Sequence, residues 1–139
     1  MKSTLSMAVV AGSLLAAGCA YAGGKTDGLF TVETQGPGKV AVGAKGSAAI
    51  VIKVKQPEAH ISDEAPLKAK VSGKNVQVAK EKLAKSDAVY KDGGASLEVP
   101  FTGSEKGSGA VEAELTFYVC AKEICERQER KVSIPVTVQ

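Results

Sequence analysis

Apolar and polar residues alternate at a spacing of two along most of this chain, in short runs separated by glycine, proline and asparagine. That period places successive side chains on opposite faces of a β-strand. Leu29 to Thr34 reads as a first strand, closed by Gly36-Pro37-Gly38, with Lys39 to Val42 continuing beyond the turn. In Ala48 to Lys55, Ile50, Ile52 and Val54 share one face while Lys53 and Lys55 share the other. Leu67, Ala69 and Val71 alternate with Lys68, Lys70 and Ser72, and Val76 and Val78 mark a short strand after Gly73-Lys74-Asn75. Leu97, Val99 and Phe101 alternate with Glu98, Pro100 and Thr102, and Pro100 predicts a sheet edge because proline cannot donate to a ladder. Val111 to Val119 and Val132 to Val138 carry the longest apolar faces. Only Val78 to Ala88 has any helical character, and it reads better as a turn or loop. Seven or eight short antiparallel strands with frequent turns predict an all-β, immunoglobulin-like β-sandwich. The Cys…Trp…Cys signature of antibody domains is missing.

The amino terminus departs from this pattern. Lys2 is followed by an uncharged apolar stretch from Leu5 to Ala17 and then by small residues, the order of an export signal over residues 1–18. Two cleavage sites compete. Leu15-Ala16-Ala17-Gly18-Cys19 has the form of a lipobox, which would acylate Cys19 and anchor the protein to a membrane. Ala20-Tyr21-Ala22 fits the ordinary A-x-A rule and would release a soluble protein after Ala22. The lipobox is preferred here. Residues 19–27 then form a flexible glycine-containing tether, and 28–139 the sandwich. Export places the chain in the periplasm or cell envelope, an oxidising compartment in which a disulfide persists.

Composition narrows the function by exclusion. A net charge of +3 with lysine and glutamate interspersed gives no basic stripe, so no nucleic-acid partner is expected. Tryptophan is absent and aromatics are 4% of residues, which argues against a carbohydrate-stacking platform. No Ser-His-Asp, HExxH, P-loop or GxGxxG pattern occurs. Asp63, Glu64, Asp87 and Asp92 read as turn residues, and no cofactor is implied.

The chemistry that remains lies in Cys120-Ala121-Lys122-Glu123-Ile124-Cys125, which joins the two strongest strands. A symmetric hairpin pairs Cys120 with Cys125, Tyr118 with Arg127, Thr116 with Glu129 and Glu114 with Lys131, all on the outward parity. A disulfide suits the closer, non-hydrogen-bonded type of pair. Glu126, Gln128 and Arg130 then fall on the inward parity, which calls for a bulge or, as preferred here, a hairpin tip projecting beyond the core. The pair reads either as an inert staple or as an exchanging dithiol. Two sulfurs and the lone His60 would make three metal ligands, but nothing in the spacing brings His60 to the hairpin, so no metal ligand is assigned. His60 reads as a surface residue after a strong strand, and the stretch from Lys80 to Gly94 as the expected cap over the cysteines.

The run Leu115 to Cys125 with its following strand resembles the amino-terminal periplasmic domain of the thiol:disulfide interchange protein DsbD family. Val54-Lys55 through His60-Ile61, leading to Pro66 to Val71, is similar to that family's strand, turn and following strand. Glu126 and Arg127 stand where prolines usually follow in the family. The resemblance implies an immunoglobulin-like sandwich in which Cys120 and Cys125 are the exchanging pair, with the order of attack open. It also implies another envelope protein, of thioredoxin type, as redox partner. The competing expectation is a non-enzymatic envelope lipoprotein that binds a protein through its sandwich and keeps a purely structural disulfide.

Overall fold

The computed structural model describes residues 26–139. The export signal, both cleavage sites, Cys19 and most of the expected tether lie outside the described residues. Eleven strands run in order: β1 (Phe30–Gln35), β2 (Lys39–Val40), β3 (Lys45–Val54), β4 (Ala59–Ile61), β5 (Lys68–Lys74), β6 (Val76–Val78), β7 (Lys82–Ala84), β8 (Ala88–Lys91), β9 (Gly94–Gly103), β10 (Gly107–Ala121) and β11 (Ile124–Val138). They form two packed sheets. One has the order β1-β3-β9-β6, with β8 also paired to β9; the other has the order β2-β11-β10-β5-β7, with β4 also paired to β10. The fold is the expected immunoglobulin-like β-sandwich. The strand count exceeds seven or eight because three-residue strands such as β4 and β7 form in stretches too short to show a period.

The alternating faces meet in one core. Ile50, Ile52, Leu97, Val99 and Phe101 from the first sheet pack against Val111, Leu115, Phe117, Val119 and Val136 from the second, all at most 2% exposed. Phe117 meets the ring of Phe30 edge-on at 5.2 Å and 86°, an arrangement that suits the opposed charges of ring face and edge.

Gly73, near the end of β5, lets the chain change sheets. A Cβ there would lie 2.2 Å from the Val76 carbonyl oxygen, so only glycine permits the tight approach that carries β5 of one sheet into β6 of the other.

Two local expectations change. Pro100 lies in the middle of a sheet, because β9 pairs with β3 on one side and with β8 and β6 on the other. Its carbonyl accepts from Ala79 N at 3.0 Å, so its nitrogen faces the same side, in the gap where β8 has ended and β6 has barely begun. The missing N–H therefore costs no ladder bond. Lys80 to Gly94 is not an irregular cap but contains β7, a 3-10 turn over Lys85–Asp87 and β8. Asp87 closes that turn by accepting from Ala84 N and Lys80 Nζ at 2.9 and 2.7 Å. These bonds, the lysine first, hold its carboxyl below the usual range.

The end of the expected tether is part of the fold. Thr26 is 1% exposed and Asp27–Leu29 form a 3-10 turn. The reason is the polar run of β11. Gln128, 4% exposed, points into the sandwich and donates to Thr26 Oγ1 at 2.9 Å. Thr26 N donates to Glu126 Oε1 at 3.2 Å. Arg130 pairs with Asp27 and lies 4.8 Å over the Phe30 ring. The inward polar residues thus require neither a bulge nor a projecting tip, since the amino-terminal segment supplies their partners. Replacing Thr26→Val should cost about 1–3 kcal/mol in urea unfolding, because the buried Gln128 amide loses its acceptor. Adding Gln128→Leu should recover most of that loss; a double variant as unstable as the single one would contradict this account.

Candidate functional site

The β10–β11 hairpin adopts the register expected from the sequence, pairing Cys120 with Cys125, Tyr118 with Arg127, Thr116 with Glu129 and Glu114 with Lys131. Ala121 and Ile124 close the last pair around a two-residue turn in which Lys122 takes φ 55°. Cys120 and Cys125 are joined, with their Cα atoms 4.0 Å apart, the close spacing of a non-hydrogen-bonded pair. Lys131 reaches Glu114 at 3.6 Å, but both are largely exposed, so the contact contributes little.

The two cysteines do not share one exposed environment. Cys120 is only 4% exposed, whereas Cys125 is open to solvent. Sheet order explains the difference. Cys120 is on β10, which has neighbours on both sides at that level, with Cys125 of β11 on one and His60 of β4 on the other. Cys125 is on β11, whose other edge meets β2 only at Thr137 and Val138 among the described residues. The turn adds an exposed apolar side chain, Ile124, directly before Cys125.

His60 is the residue that sequence spacing failed to bring here. It forms a register pair with Cys120, so both side chains leave the sheet on one face, with Cβ atoms roughly 5 Å apart for directly opposite residues. Gly93 O accepts from Ile61 N at 2.6 Å, fixing β4 from the side of the β8–β9 turn. The weak ion pair of Glu58 with Lys122, at 3.8 Å, crosses from the start of β4 to the hairpin turn. Only a composite strand, with β5 and β4 sharing one edge of β10, produces this row, and each piece is too short to read from periodicity. Among the described residues, no cluster of three or more His, Cys, Asp or Glu side chains has the geometry to hold a metal ion.

Below the disulfide, the outer face of this sheet carries a shallow groove of about 450 Å3. Lys68, Lys70, Glu114, Tyr118, Arg127 and Glu129 line it. Arg127 and Glu129 pair at 2.7 Å along β11. Asp63, Glu64 and Asp92 lie in bends and turns, as expected. Tyr90, whose hydroxyl is buried, has its pKa raised by that burial and then by the charge of Asp63.

No protein-family model matches the chain, and no curated protein matches it. Solved structures similar to it include the CARDB domain of the PF1109 protein from Pyrococcus furiosus, determined in complex with di-metal ions. That likeness has 16% identity and a TM-score of 0.47, covering 79% of this chain and 87% of that one. A conjugative transposon lipoprotein from Bacteroides eggerthii is similar at 11% identity and a TM-score of 0.40, covering 76% and 95%. A segment of Escherichia coli alpha-2-macroglobulin is similar at 15% identity and a TM-score of 0.46, covering 78% of this chain and 16% of that one. At these identities the likeness concerns the fold alone.

The disulfide links residues already paired across a tight turn, so it shortens only a six-residue loop of the unfolded chain. Chain entropy then gives about 2 kcal/mol. Converting both cysteines to alanine should therefore lower unfolding stability by no more than about 2 kcal/mol in urea titrations. A loss of more than twice that would mean the pair holds the sandwich together.

Proposed function

We propose that this protein is an exported envelope module, anchored through Cys19, that exchanges thiols and disulfides with a partner at Cys125. The observation that carries this reading is the unequal exposure of the two cysteines of a disulfide at the turn end of a hairpin, Cys125 exposed on an edge strand and Cys120 buried. An incoming thiolate must reach a sulfur and displace the other along the S–S axis. Access favours attack at Cys125, with Cys120 leaving. The partner sulfur bonds to Cys125 Sγ, and the S–S bond breaks with its electron pair passing to Cys120 Sγ. A second thiolate on the partner then attacks the partner's own sulfur and releases Cys125. The module gains two electrons and two protons, and the partner dithiol becomes a disulfide.

The surroundings suit a protein partner. Exposed Ile124 offers an apolar contact beside the reacting sulfur, and the mixed charges of the groove below it offer polar ones. The resemblance to the DsbD amino-terminal domain agrees with a thioredoxin-type partner. The modest stabilisation that a six-residue loop provides also leaves a purely structural role with a small effect to account for. That role remains the competing reading, with the sandwich acting as a binding module.

Equilibrating the protein with a glutathione series distinguishes the two. Exchange predicts a reduction potential well above about −300 mV, and a structural staple one below it. With a labile pair, Ile124→Glu should slow mixed-disulfide formation with a thioredoxin-type dithiol protein several-fold while leaving reduction by dithiothreitol unchanged. Equal slowing with both reagents would place the effect on the disulfide itself and not on docking.

A further inference from the structure

We propose that His60 is the proton partner of Cys120, holding the thiolate released when the disulfide opens. This rests on the exchange reading of the same pair and adds the group that makes Cys120 a competent leaving sulfur. Opening the bond leaves a charge on the sulfur of Cys120, a residue that is 4% exposed in the closed state. A buried thiolate is unfavourable unless a cation or donor stands beside it.

The surrounding elements offer few candidates. On β10 the neighbouring outward side chain is Tyr118, a phenol that offers no cation. On β11 the nearest basic group is Arg127, already paired with Glu129 at 2.7 Å. In the hairpin turn Lys122 reaches Glu58 at 3.8 Å, and Glu123 adds only negative charge. The β8–β9 turn contributes Asp92 and the two glycines that follow it. His60 sits directly opposite Cys120 in the sheet and has no salt-bridge partner among the described residues. It is also the only histidine of the chain.

The chemistry follows from that placement. As the S–S electron pair passes to Cys120 Sγ, the imidazolium of His60 stabilises the thiolate as an ion pair or gives it a proton. In the reverse direction neutral imidazole takes the proton back as Cys120 attacks the mixed disulfide at Cys125. Imidazole can both donate and accept a proton, so one side chain serves both directions.

The test uses the full chain with Cys19→Ser and Cys125→Ser, so that Cys120 is the one thiol, and reads its far-ultraviolet thiolate absorbance against pH. Replacing His60→Gln should lower the thiolate fraction near neutrality about tenfold. His60→Lys, which keeps a cation, should restore it. In the chain with both cysteines, His60→Gln should also lower the reduction potential, because the reduced form loses its stabilised thiolate. Circular dichroism of each variant verifies the fold, and because His60 is exposed both substitutions should be tolerated. An unchanged thiolate titration in a folded His60→Gln protein would overturn the proposal, as would failure of lysine to restore what glutamine removes. These outcomes are separate from those of the exchange reading. A very low potential in the unmodified pair removes exchange while the titration still reads the His60–Cys120 coupling. A labile pair with no such coupling removes the role of His60 alone.

Discussion

The register of the β10–β11 hairpin is the constraint from which the rest of the molecule follows. Each strand has fifteen residues, and a shift of one would turn every side chain to the opposite face. Phe117, Val119 and Val111 would leave the core, and Cys120 would lose its partner. The hairpin also sets sheet order. β10 becomes an interior strand that accepts β5 and β4 along its second edge, while β11 remains an edge over most of its length. The unequal exposure of the two sulfurs is a direct result of this order.

The same register creates a difficulty that the fold resolves locally. Alternation forces Glu126, Gln128 and Arg130 toward the interior near the disulfide, where unpaired polar groups are costly. Thr26 and Asp27 meet them with complementary donors and acceptors, and Arg130 covers the face of Phe30, which in turn meets Phe117. A polar cluster thus joins the first described residues to β11, and an aromatic pair joins Phe30 to β10.

Much of this architecture was legible in the sequence because it depends on long alternating runs. Val111 to Val119 and Val132 to Val138 fixed both the face and the pairing of the hairpin, down to the Glu114–Lys131 pair. Features that depend on short or distant segments were not legible. β4 has three residues and no visible period, so the row joining His60 to Cys120 emerges only from the pairing of the folded sheet. Thr26 looked like tether because its value lies in a partner 102 residues away. Pro100 misled because edge placement is only one way to spare a missing donor, the other being a gap between two short neighbours on a central strand.

The docking of Thr26 beside Glu126 and Gln128 also determines where the chain enters the domain. It enters at the end that carries the disulfide, one residue along β11 from Cys125. From Cys19 to Thr26 is seven Cα steps, which extend to at most about 25 Å. An anchor at Cys19 would therefore limit how far the end that carries the disulfide could stand from the bilayer. A protein able to reach Cys125 would then have to fit within that distance of the membrane surface, so access would depend on the length of the leash as well as on the exposure of the sulfur.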